Sequence, residues 1–310
     1  MAIYTNEVAK KLFSNDVQEK LFPDNSFYKG AQVDTGVADD KVSVDIPQDE
    51  DGEAESVVNP SSFPLEVSTE EDKKKSYEVD LIATKPTLVT DLEQSVLSYD
   101  KRSLKTKKHL KTLQRLVAER ILQAWAAQKA DYIRVTTGTS TRAARAKGAT
   151  GLRKRVSDDD LLWAFSVFND LDIPMEGRRL VAPAYMYEDM VRLMKEQKEY
   201  QETKNLIIDK GAIGIIYGFN IFMRSTTTTY TEAATPVLKA IGAQPAVTDN
   251  QAINLFHTDM VRYAEGNVKA YINQDQGQFL GTTMNFKVRA GGCISRLSEQ
   301  GSLSIVEDNG

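Results

Sequence analysis

The residues best suited to acid–base or metal chemistry are few and lie far apart in the sequence. Only two histidines are present, His109 and His257, and 148 positions separate them. His109 stands among lysines in a helical pattern and is predicted to be a solvated side chain. His257 stands where a strand ends, and HTDMV lacks the His-x-x-x-His spacing that zinc sites favour. The sequence therefore predicts no metal site.

Signatures of nucleophilic and nucleotide chemistry are also missing. Cys293, the only cysteine, follows two glycines in a strand pattern, which predicts a small buried thiol and excludes a disulfide within the chain. There is no Gly-x-Ser-x-Gly elbow. GAIGIIYG lacks the Gly-x-Gly-x-x-Gly spacing and precedes strand-rich sequence, so it predicts a turn instead of a phosphate cradle. We therefore expect a protein that is not an enzyme and needs no cofactor.

Contact with phosphate is indicated by one basic stretch, VTTGTSTRAARAKGATGLRKR at 135–155. Its cationic side chains could touch nucleic-acid phosphates without reading base sequence. No aromatic residue lies between them, which argues against stacking on single-stranded bases. A solvated loop or a contact with protein explains the same pattern, so both interpretations stay open. The six cationic residues are Arg142, Arg145, Lys147, Arg153, Lys154 and Arg155.

Charge is segregated along the chain. The formal net charge of −5 divides into −11 for residues 1–80, +12 for 81–155 and −6 for the remainder. One interpretation is that acidic and basic residues occupy different solvated faces. The other is complementarity, in which the acidic part of one copy lies on the basic part of another.

The sequence predicts an extended hairpin in its N-terminal third. KVSVDIP (41–47) and SYEVDLI (76–82) alternate apolar and polar residues and predict two strands joined by a long polar segment. An isolated two-stranded ribbon is at best marginally stable in water, and ordering each residue costs about 1–2 kcal/mol of backbone entropy. We therefore expect its apolar face to pack on another copy of the chain. That face consists of Val42, Val44, Ile46, Tyr77, Val79 and Leu81.

The helical patterns begin after Pro86. A short helix is predicted within TLVTDLEQSVLS, with Thr90 as its N-cap. Apolar residues at spacings of three and four then predict a helix from Lys101 to Ala130, about 45 Å long at 1.5 Å per residue. Ser157 before DDD predicts the N-cap of a further helix, and AYMYEDMVRLMKEQ predicts another.

Strand patterns complete an α+β protein of mixed element order. RRLVAP predicts a short buried strand, and two more are predicted around the Tyr217-Gly218 turn. QAINLFHTDMVRYAEG predicts a strand that runs into a helix, and alternating strands follow from Val268 onward. No apolar run approaches the roughly 20 residues of a membrane-spanning helix, and the N-terminus lacks the pattern of a signal peptide. We therefore expect synthesis in the cytoplasm and no membrane contact.

In this order the elements resemble the major capsid proteins of tailed bacteriophages, which have the Hong Kong 97-type fold. The matching features are an N-terminal arm, an extended loop, a long spine helix near 100–130 and a compact α/β region. GAIGIIYGFNIFMRSTT looks like the segment in which these proteins turn through Gly-Phe into a strand. AINLFHTDMVRYAEGN resembles their Phe-His-x-Asp strand, which runs into a helix.

The resemblance implies both a domain plan and a function. The plan is an arm at 1–33, an extended β-hairpin loop at 34–84, a peripheral domain of 85–155 and 251–310 with the spine helix, and an axial domain at 156–250. The function is a structural subunit that self-assembles as pentamers and hexamers into an icosahedral shell around double-stranded DNA. Further implied partners are portal and scaffolding proteins and the packaged DNA, bound non-specifically. The implied location is the virion, after synthesis in the host bacterial cytoplasm.

Two alternatives remain open at this point. One is a shell protein of the same fold that forms a cellular nanocompartment around an enzyme cargo. The other, from a different class, is a non-sequence-specific nucleic-acid-binding protein built around the basic stretch at 135–155.

Overall fold

The computed structural model of the protein describes residues 26–34, 43–48, 73–90, 101–196, 214–278 and 280–309. Within these ranges three helices form, α1 (Lys101–Ala124), α2 (Asp158–Asp170) and α3 (Ala184–Glu196). The strands of the same ranges are β1 (Gln32–Val33), β2 (Ser43–Gln48), β3 (Lys73–Glu78), β4 (Asp80–Ala83), β5 (Thr87–Thr90), β6 (Ile133–Val135), β7 (Thr141–Ala143), β8 (Leu152–Lys154), β9 (Arg178–Pro183), β10 (Gly214–Ile216), β11 (Phe219–Arg224), β12 (Thr229–Thr231), β13 (Val237–Leu238), β14 (Asn250–His257), β15 (Val261–Glu265), β16 (Lys269–Gln276), β17 (Gly281–Ile294) and β18 (Ser302–Val306). The predicted α+β class is confirmed.

A six-stranded sheet forms the first layer and packs one face against α1. The 14-residue strand β17 is its centre and pairs antiparallel with β15, β16, β4 and β5. Met284, Phe286 and Val288 alternate along β17, so they share one face, where they are buried with Leu113 and Val117 of α1. Strand β1 extends the sheet by pairing in parallel with β15.

Helix α1 ends earlier than its sequence pattern indicates. Its 24 residues extend about 36 Å at 1.5 Å per residue, and the helix stops at Ala124 instead of Ala130. The chain then turns toward the C-terminal strands. The Trp125 indole N–H donates to the Arg262 carbonyl at 2.9 Å, and the Ala127 amide donates to Ser304 Oγ at 3.2 Å. The bond from the Ala127 amide takes the place of a helical one, and the indole bond fixes the Trp125 side chain against β15.

An eight-stranded sheet forms the second layer, with strand order β10-β11-β9-β14-β12-β13 and with β18 between β14 and β6. Strands β9, β14 and β18 are buried along their whole length. Phe168 of α2 and Met186 and Met190 of α3 pack with Leu180 of β9 and Leu255 of β14. Because β14 and β18 pair within this sheet, a domain boundary at residue 250 does not coincide with the division between the sheets. The domain plan stays a prediction.

Several local predictions are confirmed. Ser157 caps α2 with a reciprocal pair of bonds, since its Oγ accepts the Asp160 amide at 3.3 Å while its own amide donates to the Asp160 carboxylate at 2.9 Å. Tyr217 and Gly218 both have positive φ, 45° and 77°, which fits the tight turn between the antiparallel strands β10 and β11. Helix α3 and the buried strand β9 also form where predicted.

Two helix predictions are wrong where the structure describes them. Thr87–Thr90 form β5, which pairs with Gly281–Met284, and the rest of that predicted helix lies outside the described residues. After β14 the chain makes a 3-10 turn at Thr258–Met260 and then β15 in place of a helix. Pairing with β17 decides this, because Val261 lies opposite Ile294 and the ladder continues to Glu265.

The described part of the predicted arm packs into the first layer. Phe27 and Tyr28 are buried, and their rings lie edge-on to those of Trp125 and Tyr263 at 6.3 and 5.1 Å. The Arg179 guanidinium donates to the Phe27 carbonyl at 2.7 Å. Residues 1–25 of the arm lie outside the described residues. Among the helices that the structure describes, none is both long and apolar enough to cross a membrane.

Candidate functional site

The apolar face of the hairpin is largely covered by its own chain. Strands β2 and β3 pair antiparallel, with Val44 opposite Tyr77. Both rest on the first sheet, in a buried cluster that consists of Val44, Ile46, Tyr77, Val79, Ala264 and Cys293. The prediction that another copy covers Val44, Ile46, Tyr77 and Val79 is therefore wrong, because β15 and β17 already remove them from water. Val42 lies outside the described residues.

Polar contacts anchor the same hairpin. Tyr77 donates its phenolic hydrogen to the Asp34 carboxylate at 2.7 Å, and Arg262 donates to the other oxygen at 3.1 Å. The Lys75 ammonium donates to the Arg296 carbonyl at 2.7 Å. Burial raises the pKa of the Cys293 thiol to about 11, so it stays protonated and unreactive near neutral pH, as its sequence context predicts.

Leu81 is the one described residue of the predicted hairpin face that stays in water, with 53% of its surface exposed. It lies opposite Arg289 of β17, and residues directly opposite in a ladder share a face. The face of the first sheet that points away from α1 therefore combines apolar and cationic side chains. We call it the outer sheet face and define it by Leu81, Leu88, Tyr271, Lys287 and Arg289.

Two arginines of the basic stretch are held by partners inside the chain instead of presented to phosphate, and only 8% of the Arg142 side chain is exposed. Arg142 forms ion pairs with Asp189 and with Glu307, the latter at 2.6 Å, and its guanidinium lies 4.5 Å from the centre of the Tyr185 ring. Arg153 is 3% exposed and donates to the Asn250 side chain at 2.5 Å. Breaking a buried pair typically costs about 3–5 kcal/mol. The prediction of phosphate contact is wrong for these two residues.

The remaining cations of the stretch divide into paired and exposed ones. Arg155 forms an ion pair with Asp189 at 2.7 Å, and Lys154 pairs with Asp308 at 2.6 Å. Arg145 and Lys147 are exposed. The stretch is not only the loop that the sequence predicts, because β7 and β8 pair within it as an antiparallel hairpin. Four of the six cations are thus held by partners within the chain.

Both histidines have structural roles. His109 is buried, its ring centre lies 5.5 Å from that of Phe286, and burial, followed by Lys105 and Lys108, lowers its pKa. The prediction that it is solvated is wrong. His257 donates from Nε2 to the Glu176 carbonyl at 2.6 Å and accepts the Asp259 amide on Nδ1 at 3.2 Å, so both ring nitrogens are used by the turn after β14.

The exposed positive charge lies elsewhere, on α1. Lys107, Lys108, Lys111 and Arg115 are exposed along the first half of the helix, and Lys105 is half-buried beside them. Sequence reasoning located the positive region at 81–155 but favoured its loop over its helix. The signal that could have found the helical face is the recurrence of lysine at spacings of three and four between residues 101 and 111.

Known structures account for this architecture. No protein-family model matches the chain, and no curated protein is similar to it in sequence. The capsid of cyanophage P-SCSP1u is similar with a TM-score of 0.65 at 15% identity, over 92% of this chain and 88% of that one. The capsid of Ralstonia phage GP4 is similar with a TM-score of 0.64 at 11% identity, over 92% and 89%. The chain has a phage capsid fold.

A third similar structure is the capsid of a GTA particle. The capsid of a native GTA particle matches with a TM-score of 0.58 at 12% identity, over 91% of this chain and 89% of that one. Because about nine-tenths of both chains are covered in each comparison, the fold accounts for both layers of the protein. The predicted Hong Kong 97-like capsid fold is confirmed as a fold.

Proposed function

We propose that the chain is a major capsid protein of a tailed bacteriophage, which assembles with copies of itself as pentamers and hexamers into an icosahedral shell around double-stranded DNA. One observation carries this proposal: the similarity to capsid chains covers about nine-tenths of this chain and of theirs. A similarity of that extent is expected for a complete shell subunit. A shared supersecondary motif would match only part of each chain.

The surface supports self-association. Leu81, Leu88 and Tyr271 expose apolar side chains at separate points along the outer sheet face, where a neighbouring copy could cover them. In a closed shell each copy presents the same donor and acceptor surfaces, so a modest contact is repeated many times. Burial contributes about 25 cal/mol per Å² of apolar area, which makes each single contact weak and the assembled shell stable.

The described residues offer no rival chemistry. None of their His, Cys, Asp and Glu side chains form a group of three or more that could hold a metal ion. The Cys293 thiol is buried with a raised pKa, and both histidine rings are engaged in packing or turn formation. A structural role is compatible with these observations. Under this proposal the partners are identical copies, portal and scaffolding proteins and packaged DNA, and the protein resides in the virion after synthesis in the host bacterial cytoplasm.

Electron microscopy of the purified protein tests the proposal. The chain is expressed alone and together with the genes adjacent to its own, because shells of this kind commonly need a scaffolding function. Closed icosahedral particles are expected in at least one of the two preparations. Particles in neither preparation would contradict the proposal. Particles that enclose a protein cargo, identified by mass spectrometry of the contents, would favour a nanocompartment instead.

A further inference from the structure

We propose that the first half of α1 and the adjoining β4–β5 connection form a binding surface for the phosphates of double-stranded DNA. This inference rests on the proposed shell function, because a shell that encloses a genome brings DNA to its subunits. It places the DNA contact on different residues from those that the sequence indicated. We call the surface the α1 cationic face and define it by Lys85, Lys105, Lys107, Lys108, Lys111 and Arg115.

Helix geometry aligns these cations with one another. Lys108, Lys111 and Arg115 follow one another at spacings of three and four, which places them on one side of the helix. The distance along the axis from Lys105 to Arg115 is about 15 Å at 1.5 Å per residue. One strand of B-DNA carries a phosphate about every 3.4 Å of axis, so the row of side chains matches about four phosphates.

The cations line two adjoining depressions. A cavity of about 320 Å³ lies between the β4–β5 connection and α1, and Lys85, Lys105, Lys108 and His109 contribute to its walls. A shallow cleft of about 510 Å³ shares Lys108 with it and continues along the helix. Threonine hydroxyls complete the cavity wall, and among the residues that the structure describes no carboxylate lines either depression. Such walls suit an anion.

The charges of the α1 cationic face are available for a ligand. Among the residues that the structure describes, no carboxylate forms an ion pair with Lys105, Lys107, Lys108 or Lys111. Arg115 pairs only at 3.7 Å with Glu119 and is 63% exposed. The cations at 142–155 differ, because four of the six are held by partners within the chain. Burial is the main cause of the lowered pKa of His109, and Lys105 and Lys108 lower it further, which is consistent with a positive potential in the cavity.

DNA fits this surface better than a protein segment does. The rival ligand is the segment 49–72 of another copy, which carries nine acidic residues and no basic ones. Lysine is depleted in protein interfaces, whose centres need apolar and aromatic contacts. Phosphate binding needs only accessible cations, and its affinity grows with the number of counterions that they release. The α1 cationic face consists of lysines and one arginine and has no aromatic residue among its defining members, so it suits phosphates better than a protein segment.

The test measures binding of a mixed-sequence duplex of about 20 base pairs to the full-length, unassembled subunit, by fluorescence anisotropy over about 50 to 200 mM salt. About four phosphate contacts predict a slope of about −3.6 in log K against log salt. The triple variant K107A/K108A/K111A should reduce that slope by about 3 and lower the affinity at every salt concentration. Thermal unfolding confirms that the variant is folded, since the three side chains are exposed.

The matched control R145A/K147A/K269A removes the same charge from exposed positions outside the face and should leave the slope unchanged. An equal loss in both variants would overturn the proposal, because binding would then follow net charge alone. Displacement of DNA by a peptide of residues 49–72 that itself binds more tightly would also overturn it, in favour of an intersubunit role. Because the measurement uses unassembled subunits, its outcome is separate from whether shells form.

Discussion

The phenolic oxygen of Tyr77 lies 2.7 Å from the carboxylate of Asp34, which joins β3 of the extended hairpin to the residue that follows β1 within one chain. Arg262 of β15 contacts the same carboxylate, so three segments that are distant in sequence meet at one point. The base of the hairpin is thus part of the subunit before any partner arrives. Under the proposed function, surfaces other than the hairpin base would make the contacts between copies.

Burial of the hairpin base within the chain predicts a stability effect in the isolated subunit. Ile46 is 7% exposed, and truncating a buried Ile to Ala typically costs about 2–5 kcal/mol. I46A should therefore lower the free energy of unfolding of unassembled protein, measured by urea denaturation. The control L81A removes an exposed side chain and should change it by less than about 0.5 kcal/mol. Equal stability of I46A and wild type would mean that the cluster does not form before assembly.

The sequence located the elements that depend on a few neighbouring residues. The apolar stripe of α1, the Ser157 cap and the Tyr217-Gly218 turn are encoded within one or two helical turns or a hairpin, so periodicity and turn chemistry suffice. The same holds for the alternating residues of β2 and β3, whose pairing was expected. The confirmed capsid fold rests on the order of such elements.

What the sequence did not predict depends on partners far along the chain. Val44 is covered by Ala264 and Cys293, which lie more than 200 positions away, so no local sequence pattern predicts this contact. The sequence around Arg142 contains no sign of its ion-pair partners, because Asp189 and Glu307 lie 47 and 165 positions away. The spacing of VRYAE is compatible with either a helix or a strand, and only the ladder with β17 selects the strand.

The buried ion pairs of Arg142 predict a large effect of one substitution. R142A leaves Asp189 and Glu307 without that cation in the interior, which should lower the free energy of unfolding by about 3–5 kcal/mol. R145A, at an exposed arginine of the same hairpin region, is the matched control and should change it by less than about 0.5 kcal/mol. Denaturation of both variants checks this. Similar small losses in both would contradict the buried pairing.

The outer sheet face predicts an assembly defect without a stability defect. L81D places a charge at a half-exposed position, so the subunit should unfold at the same denaturant concentration as wild type. If this face is covered by another copy, the buried carboxylate should prevent closed particles from forming. M175D makes a comparable change at an exposed residue before β9 and should still assemble. Electron microscopy counts the particles, and normal shells from L81D would exclude this face from the contact.

The carboxyl group of Glu265 predicts how stability depends on pH. Burial raises its pKa from 4.5 to about 7, while a hydrogen bond from Tyr28 opposes that rise. Between those values the folded state keeps a proton that the unfolded chain has released, so the contribution of Glu265 to the free energy of unfolding falls as pH rises from about 4.5 to 7. The free energy of unfolding contributed by Glu265 changes by about 3 kcal/mol over this range, since a pKa difference of one corresponds to about 1.4 kcal/mol.

Replacing Glu265 with the neutral isostere isolates this effect. E265Q should unfold with nearly the wild-type free energy at pH 4.5 and should be the more stable protein at pH 8, because Gln never has to ionise in the interior. E176Q changes an exposed glutamate and should follow the wild-type pH profile. Urea denaturation at several pH values gives the comparison. If the E265Q and wild-type profiles are parallel from pH 4.5 to 8, the pKa of Glu265 is the same in the folded protein as in the unfolded chain, and the buried environment inferred for it is wrong.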